Sequence, residues 1–93
     1  MKNPDRIPPR GRRATIIRAA AEREQTMSDI VREVRTFATL RIRDASIDRL
    51  KTSGAVQELR QQGLLARTPR GYRATSAGLA LLAASSAQAV DRP

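Results

Sequence analysis

Residues 56–82 read VQELRQQGLLARTPRGYRATSAGLALL, and the way this stretch divides decides the fold. Its first part closes a helix. Val56 and Leu59 share one face with Thr52 and Ala55 just upstream, and Gly63 stands where a left-handed residue ends a helix. The spacing predicts a helix capped by Asp48 and running to Gln62. Its other face carries Leu50, Ser53, Gly54, Gln57 and Gln61, flanked by Arg49, Lys51 and Arg60. Leu50 is off the apolar face, and a glycine inside a helix costs on the order of 1 kcal/mol against alanine. A break at Thr52-Ser53-Gly54 is therefore the alternative. Beyond Gly63, Leu64, Leu65 and Ala66 form a short strand, Thr68-Pro69-Arg70-Gly71 a turn, and residues 72–75 a returning strand. The hairpin carries Arg67, Arg70 and Arg73. Residues 76–89, SAGLALLAASSAQA, then read as a capped alanine-leucine helix with Leu79, Leu82 and Ala83 on its apolar side.

Upstream, residues 14–24 read as a first helix, with Ile16, Ile17, Ala20 and Ala21 inward and Arg18, Glu22 and Arg23 toward water. Residues 25–28 connect it to a second, capped by Ser28 with Asp29 in the electropositive first turn. Ile30, Val34 and Phe37 recur at helical spacing, Val31 and Ala38 widen the stripe, and this helix extends to about Thr39. Residues 40–46 extend helix two, loop, or form a short helix of their own. Residues 1–13 are a flexible basic arm, broken by Pro4, Pro8, Pro9 and Gly11 and charged by Arg6, Arg10, Arg12 and Arg13. The folded domain is residues 14–89, and residues 90–93 are a tail.

The whole chain has 93 residues, one domain's worth, and 40% are hydrophobic, enough for a folded core. Only Phe37 and Tyr72 are aromatic, so the core is aliphatic and there is no platform for stacking unpaired bases. The net charge is +9, nearly all of it arginine, which attracts polyanions. With no cysteine and no histidine, disulfides, zinc fingers and histidine-based catalysis are excluded. The nine acidic residues form no paired-carboxylate or metal-ligand motif, there is no glycine-rich phosphate loop, and Ser53 and Ser76 have no histidine to activate them. No enzyme, cofactor or metal is expected. No apolar run reaches the length of a membrane span, and MKNPDRIPPRGRR has charges and prolines where a signal peptide needs an apolar stretch. The expected compartment is the cytoplasm, at the nucleoid.

Three helices, a basic two-stranded hairpin and a last helix make a mainly α (α+β) chain. Its order resembles the winged helix-turn-helix plan: a three-helix core plus a two-stranded wing and a C-terminal helix. Over about residues 47–82 the sequence is similar to bacterial winged helix regulators of the GntR and MarR types. Val56, Leu59, Gly63 and Leu64 match the close of their recognition helix, and Tyr72, Thr75 and Gly78 match the second wing strand and the helix after it.

The resemblance implies a sequence-specific, repressor-like regulator that binds double-stranded DNA, as a homodimer joined through the last helix or helix one. Its third helix enters the major groove. Gln57 and Gln61 then approach bases, Gly54 brings backbone close to the duplex, Ser53 belongs to the same face, and Arg49, Lys51 and Arg60 hold phosphates. Arg67, Arg70 and Arg73 are wing contacts to phosphate or minor groove, and Arg10, Arg12 and Arg13 are candidate arm contacts. Backbone amides at Ser28 and Asp29 are a further candidate for phosphate, beside simple capping. No small-molecule pocket is expected. The rival readings are an RNA-binding, ribosome-associated or architectural protein of the same fold, and a protein-interaction module that no longer touches nucleic acid.

Overall fold

Helix α1 forms where alanine and isoleucine run together, and the computed structural model of the chain places it at Arg12–Glu22. The structure describes residues 11–37 and 44–90, with side chains to residue 84. In order, it shows α1, α2 (Met27–Phe37), α3 (Ala45–Gln61), β1 (Leu65–Thr68), β2 (Gly71–Ala74) and α4 (Ser76–Val90). This is a mainly helical α+β architecture with one two-stranded antiparallel sheet. Helix α1 is the centre: it packs on α2, α3, α4 and β2. Ile16 and Ile17 are fully buried there, with Ile30 and Val34 from α2, Val56 and Leu59 from α3, Leu64, Leu65 and Tyr72 from the hairpin region, and Leu81 from α4. The core is aliphatic but for Tyr72.

Several helix boundaries differ from the sequence expectation, each for a local reason. Helix α1 starts two residues early, so Arg12 and Arg13 belong to it and not to an arm. Helix α2 is capped by Thr26, not Ser28: the Asp29 N–H donates to Thr26 Oγ1 (3.1 Å), and the Thr26 N–H donates back to Asp29 Oδ2 (3.1 Å). The Thr26 backbone N–H, and then its hydroxyl, hold the Asp29 carboxyl below its ordinary range. Phe37, expected on the buried stripe, is 64% exposed at the end of α2. Residues 38 and 39 of the expected helix lie outside the described residues.

Helix α3 begins one turn earlier than expected. The cap is Asp44, whose Oδ1 accepts from the Ser46 and Ile47 N–H groups, and Asp48 is buried within the first turns. The helix runs unbroken through Thr52-Ser53-Gly54 and ends at Gly63, whose φ of +75° is the left-handed stop. Thr52 is fully buried and its hydroxyl has no partner among the described residues. Thr52→Val removes that unpaired group at nearly constant shape, so urea unfolding should show a gain of about 1 kcal/mol. A loss of that size would mean that the hydroxyl is bonded after all.

The hairpin pairs Leu65 with Ala74, Ala66 with Arg73, Arg67 with Tyr72 and Thr68 with Gly71. A two-residue β-turn normally needs positive φ within the turn. Neither Pro69 nor Arg70 supplies it, and Gly71 takes the strain with φ +155°. A third piece of strand was not expected. Gln25, in the α1–α2 connector, bridges to Tyr72: the Gln25 N–H donates to the Tyr72 carbonyl (3.0 Å) and the Tyr72 N–H to the Gln25 carbonyl (2.8 Å). The buried Gln25 side chain also donates from Nε2 to the Ala19 carbonyl at 3.0 Å.

Thr75, expected at the end of the second strand, is instead the junction to α4. Its hydroxyl donates to the Gly63 carbonyl (2.6 Å) and accepts from the Gly78 N–H (3.1 Å). Gly78 lies against Leu64, so α4 turns Gly78 and Leu81 inward. Leu79 and Ala83, expected on the inner side, are exposed, and Leu82 is half-buried.

Candidate nucleic-acid interface

Helix α3 presents two unlike sides. The inner row is Asp48, Thr52, Val56 and Leu59. The outer row, following the helical repeat, runs through Ile47, Leu50, Gly54, Gln57 and Gln61, all exposed, with Ser53 half-buried beside it. This middle strip carries no charge. Arg49 and Arg60 lie along one edge of it and Lys51 along the other. Arg60 donates from Nη1 to Gln57 Oε1 at 3.3 Å, which steadies the glutamine on the open side. Gly54 has open space around the position of a Cβ, and its helix is regular, so nothing among the described residues calls for glycine there.

The negative charges of α3 are each engaged, Asp48 on the inner row and Glu58 on the Lys51 edge of the strip. Asp48 receives Arg12 Nη2 from α1 at 2.7 Å and Arg35 Nε from α2 at 3.4 Å. Arg35 also donates to the Ala45 carbonyl at 3.0 Å, so the start of α3 is held by both earlier helices. Glu58 is paired with Arg13, and the Asp44 carboxylate is spent on the helix cap. Beside the Lys51 edge, Arg12, Arg13, Lys51, Gly54, Ala55 and Glu58 line an open depression of about 290 Å³. The cations of α1 thus extend that edge.

Strand alternation separates the hairpin arginines. Arg67 is on the Tyr72 side of the ribbon, its guanidinium 5.8 Å from the ring centroid, while Arg73 points to the opposite side, paired with Ala66. Arg70 occupies the turn between the strands. All three are exposed.

The nine sequence candidates therefore divide in two. Arg49, Lys51, Ser53, Gln57, Arg60 and Gln61 come together along α3, and Arg67, Arg70 and Arg73 are spread around the hairpin. Of the arm candidates, Arg10 lies outside the described residues. Arg12 and Arg13 lie in α1 and not in an arm, a correction to their expected placement, and are paired with Asp48 and Glu58. Ser28 and Asp29 sit inside the first turn of α2, with Asp29 engaged by Thr26. Leu50 was placed on the outer face from the sequence but given no role, and Ile47 was missed as a member of the strip. Leu50 is 72% exposed and Ile47 51%, and the signal was there: Leu50 breaks the inner spacing of Thr52, Val56 and Leu59.

Among the described residues, no group of three or more acidic side chains is placed to hold a metal ion. No helix among them is long and apolar enough to cross a membrane. Comparison of the chain with protein-family models, with curated proteins and with solved structures finds no match.

Proposed function

We propose that this chain is a winged helix-turn-helix protein that binds double-stranded DNA through α3 and the hairpin, as a small regulator that occupies an operator. One observation carries this: an uncharged strip on α3 with Arg49 and Arg60 along one edge and Lys51, beside the Arg13-paired Glu58, along the other. A major groove has the complementary form, base edges between two phosphate backbones. Gln57 and Gln61 face the bases on this reading, and Arg49, Arg60 and Lys51 face phosphate.

The order of elements supports the fold assignment, and so does the Gln25 bridge, which adds a third segment to the sheet between the first two helices. In this plan the hairpin is the wing. Its arginines, on both faces and at the turn, suit a ribbon that touches phosphate on either side or enters a minor groove. For the dimer, α4 is the surface to favour over α1. Residues 76–90 contain no charged residue in a chain of net charge +9, and Leu79, Ala80, Ala83 and Ala84 are exposed along it. Two copies can meet there without bringing cations together.

The test is duplex binding as a function of salt. The wild-type chain should bind double-stranded DNA with an affinity that falls steeply as salt rises. Alanine at Arg49, Lys51 and Arg60 together should flatten the log–log slope by about 2–3 units, at about 0.9 for each phosphate no longer neutralised. The melting temperature should stay close to wild type, because Arg49 and Lys51 are exposed and the half-buried Arg60 side chain bonds, among the described residues, only to the exposed Gln57. No duplex binding at low salt would refute the reading. Tighter binding to structured RNA would move the function to RNA, and equal affinity for every duplex would make the protein architectural. Unchanged biological activity after charge reversal at Arg60 and Arg70 would make it a protein-interaction module.

A further inference from the structure

We infer that Leu50, with Ile47 one turn before it, is a specificity-determining contact for thymine, and that the preferred duplex places thymine 5-methyl groups opposite the first half of α3. This rests on the duplex-binding reading above.

Leu50 lies on the uncharged strip, in the half of α3 next to its start, where a groove-entering helix meets base edges first. It is the most exposed large apolar side chain among the described residues, at 72%, and Ile47 adds a second at 51%. Both are held in place from behind. The Asp44 cap binds the Ile47 N–H, and Asp48, between the two, is gripped by Arg12 and Arg35.

A leucine open to water and bordered by charge needs an occupant that suits both. An apolar protein partner would bury Leu50 but would also strip water from Arg49 and Lys51 on either side. A duplex does neither harm: phosphates meet the cations at the two edges, and between them the groove floor has one apolar group to offer, the thymine methyl. Gly54 stands one turn further along the same strip with no Cβ and open space around it. That missing side chain lets the helix axis settle closer to the floor, which brings the leucine within reach of the methyl.

The test uses the full chain and a random-sequence duplex library. Enriched duplexes are resynthesised with deoxyuridine for thymidine, which removes only the methyl groups. Wild type should lose about threefold to fivefold in affinity per contacted thymine, the transfer value of one buried methyl. Leu50→Ala should lose most of the preference for thymine over uracil, and the Ile47→Ala, Leu50→Ala double variant all of it, while melting as wild type does. Gly54→Ala should melt at a higher temperature and yet bind the enriched duplexes several-fold more weakly. Equal affinity of wild type for the two duplexes overturns the inference and leaves duplex binding standing. Retention of the library with no sequence enriched does the same. No retention at low salt removes the underlying reading as well. A Leu50→Ala variant that changes the chain's self-association but keeps the thymine preference assigns the leucine to a protein contact, and the inference fails.

Discussion

Gly71→Ala should lower the melting temperature by at least about 10 °C, a loss of about 3–5 kcal/mol. A Cβ on residue 71 would lie 2.1 Å from the Gln25 carbonyl oxygen and 3.0 Å from the Thr26 nitrogen, and both are backbone atoms that cannot rotate away. Relief requires the α1–α2 connector to move off β2. That breaks the two hydrogen bonds between Gln25 and Tyr72, each worth about 1 kcal/mol, and strands buried polar groups. The φ of +155° adds strain of about 1–3 kcal/mol for any residue with a Cβ. A chain of this length has a total stability on the order of 5–14 kcal/mol, so the change removes a large share of it. Gly63→Ala is the control. Residue 63 also has positive φ, +75°, but its Cβ would meet nothing within 4 Å among the described residues, so only the left-handed strain of about 1 kcal/mol remains. Thermal unfolding followed by far-ultraviolet circular dichroism measures both. Similar losses in the two variants would mean that the Gln25 bridge contributes nothing.

Asp48→Ala should cost about 3 kcal/mol in urea unfolding. Removing one partner of a buried ion pair costs about 3–5 kcal/mol, because the other charge stays behind without compensation. Asp48 is 3% exposed and serves two arginines. Arg35, at 41% exposed, can turn to water, which places the value at the low end of that range. Arg12, at 21%, is more confined, and its Nε already lacks a partner among the described residues. Glu58→Gln breaks another arginine pair in the same region, but Glu58 is 53% exposed, and pairs of that kind are worth about 1 kcal/mol or less. A loss at Asp48 no greater than that at Glu58 would show that burial does not set the strength of this contact.

These two sites mark where local patterns stopped being informative. The inner row of α3 was legible because Thr52, Val56 and Leu59 repeat at helical spacing, and Gly63 closes the helix in the ordinary way. The hairpin was legible from Pro69 and Gly71. Asp44 and Asp48 are both aspartates near a helix start, and nothing local separates a cap from a buried ion. The distinction lies in Arg12 and Arg35, which arrive from two other helices. The Gln25 bridge is a single residue and has no periodicity to detect. Its trace is Gly71, which read as an ordinary turn glycine. In α4 the run of small residues gives two sides of similar character, and the inner one is chosen by the contact of Gly78 with the Leu64 carbonyl.

The outer strip of α3 was legible for its polar members because an exposed face is normally polar. The same rule hid Ile47 and left Leu50, which the helical spacing did place on this face, without a role, because both are apolar side chains that stand in water. Position also corrected the arm: Arg12 and Arg13 look like any charged terminus in sequence, and only the nearby carboxylates of α3 show what they hold.

The ring of Tyr72 beneath the Arg67 guanidinium has a practical consequence. With one tyrosine and no tryptophan in the chain, nearly all of its intrinsic fluorescence comes from that single position. A polyanion that draws Arg67 aside alters the surroundings of the emitting group, so the molecule carries its own optical gauge of occupancy at the hairpin and needs no attached dye.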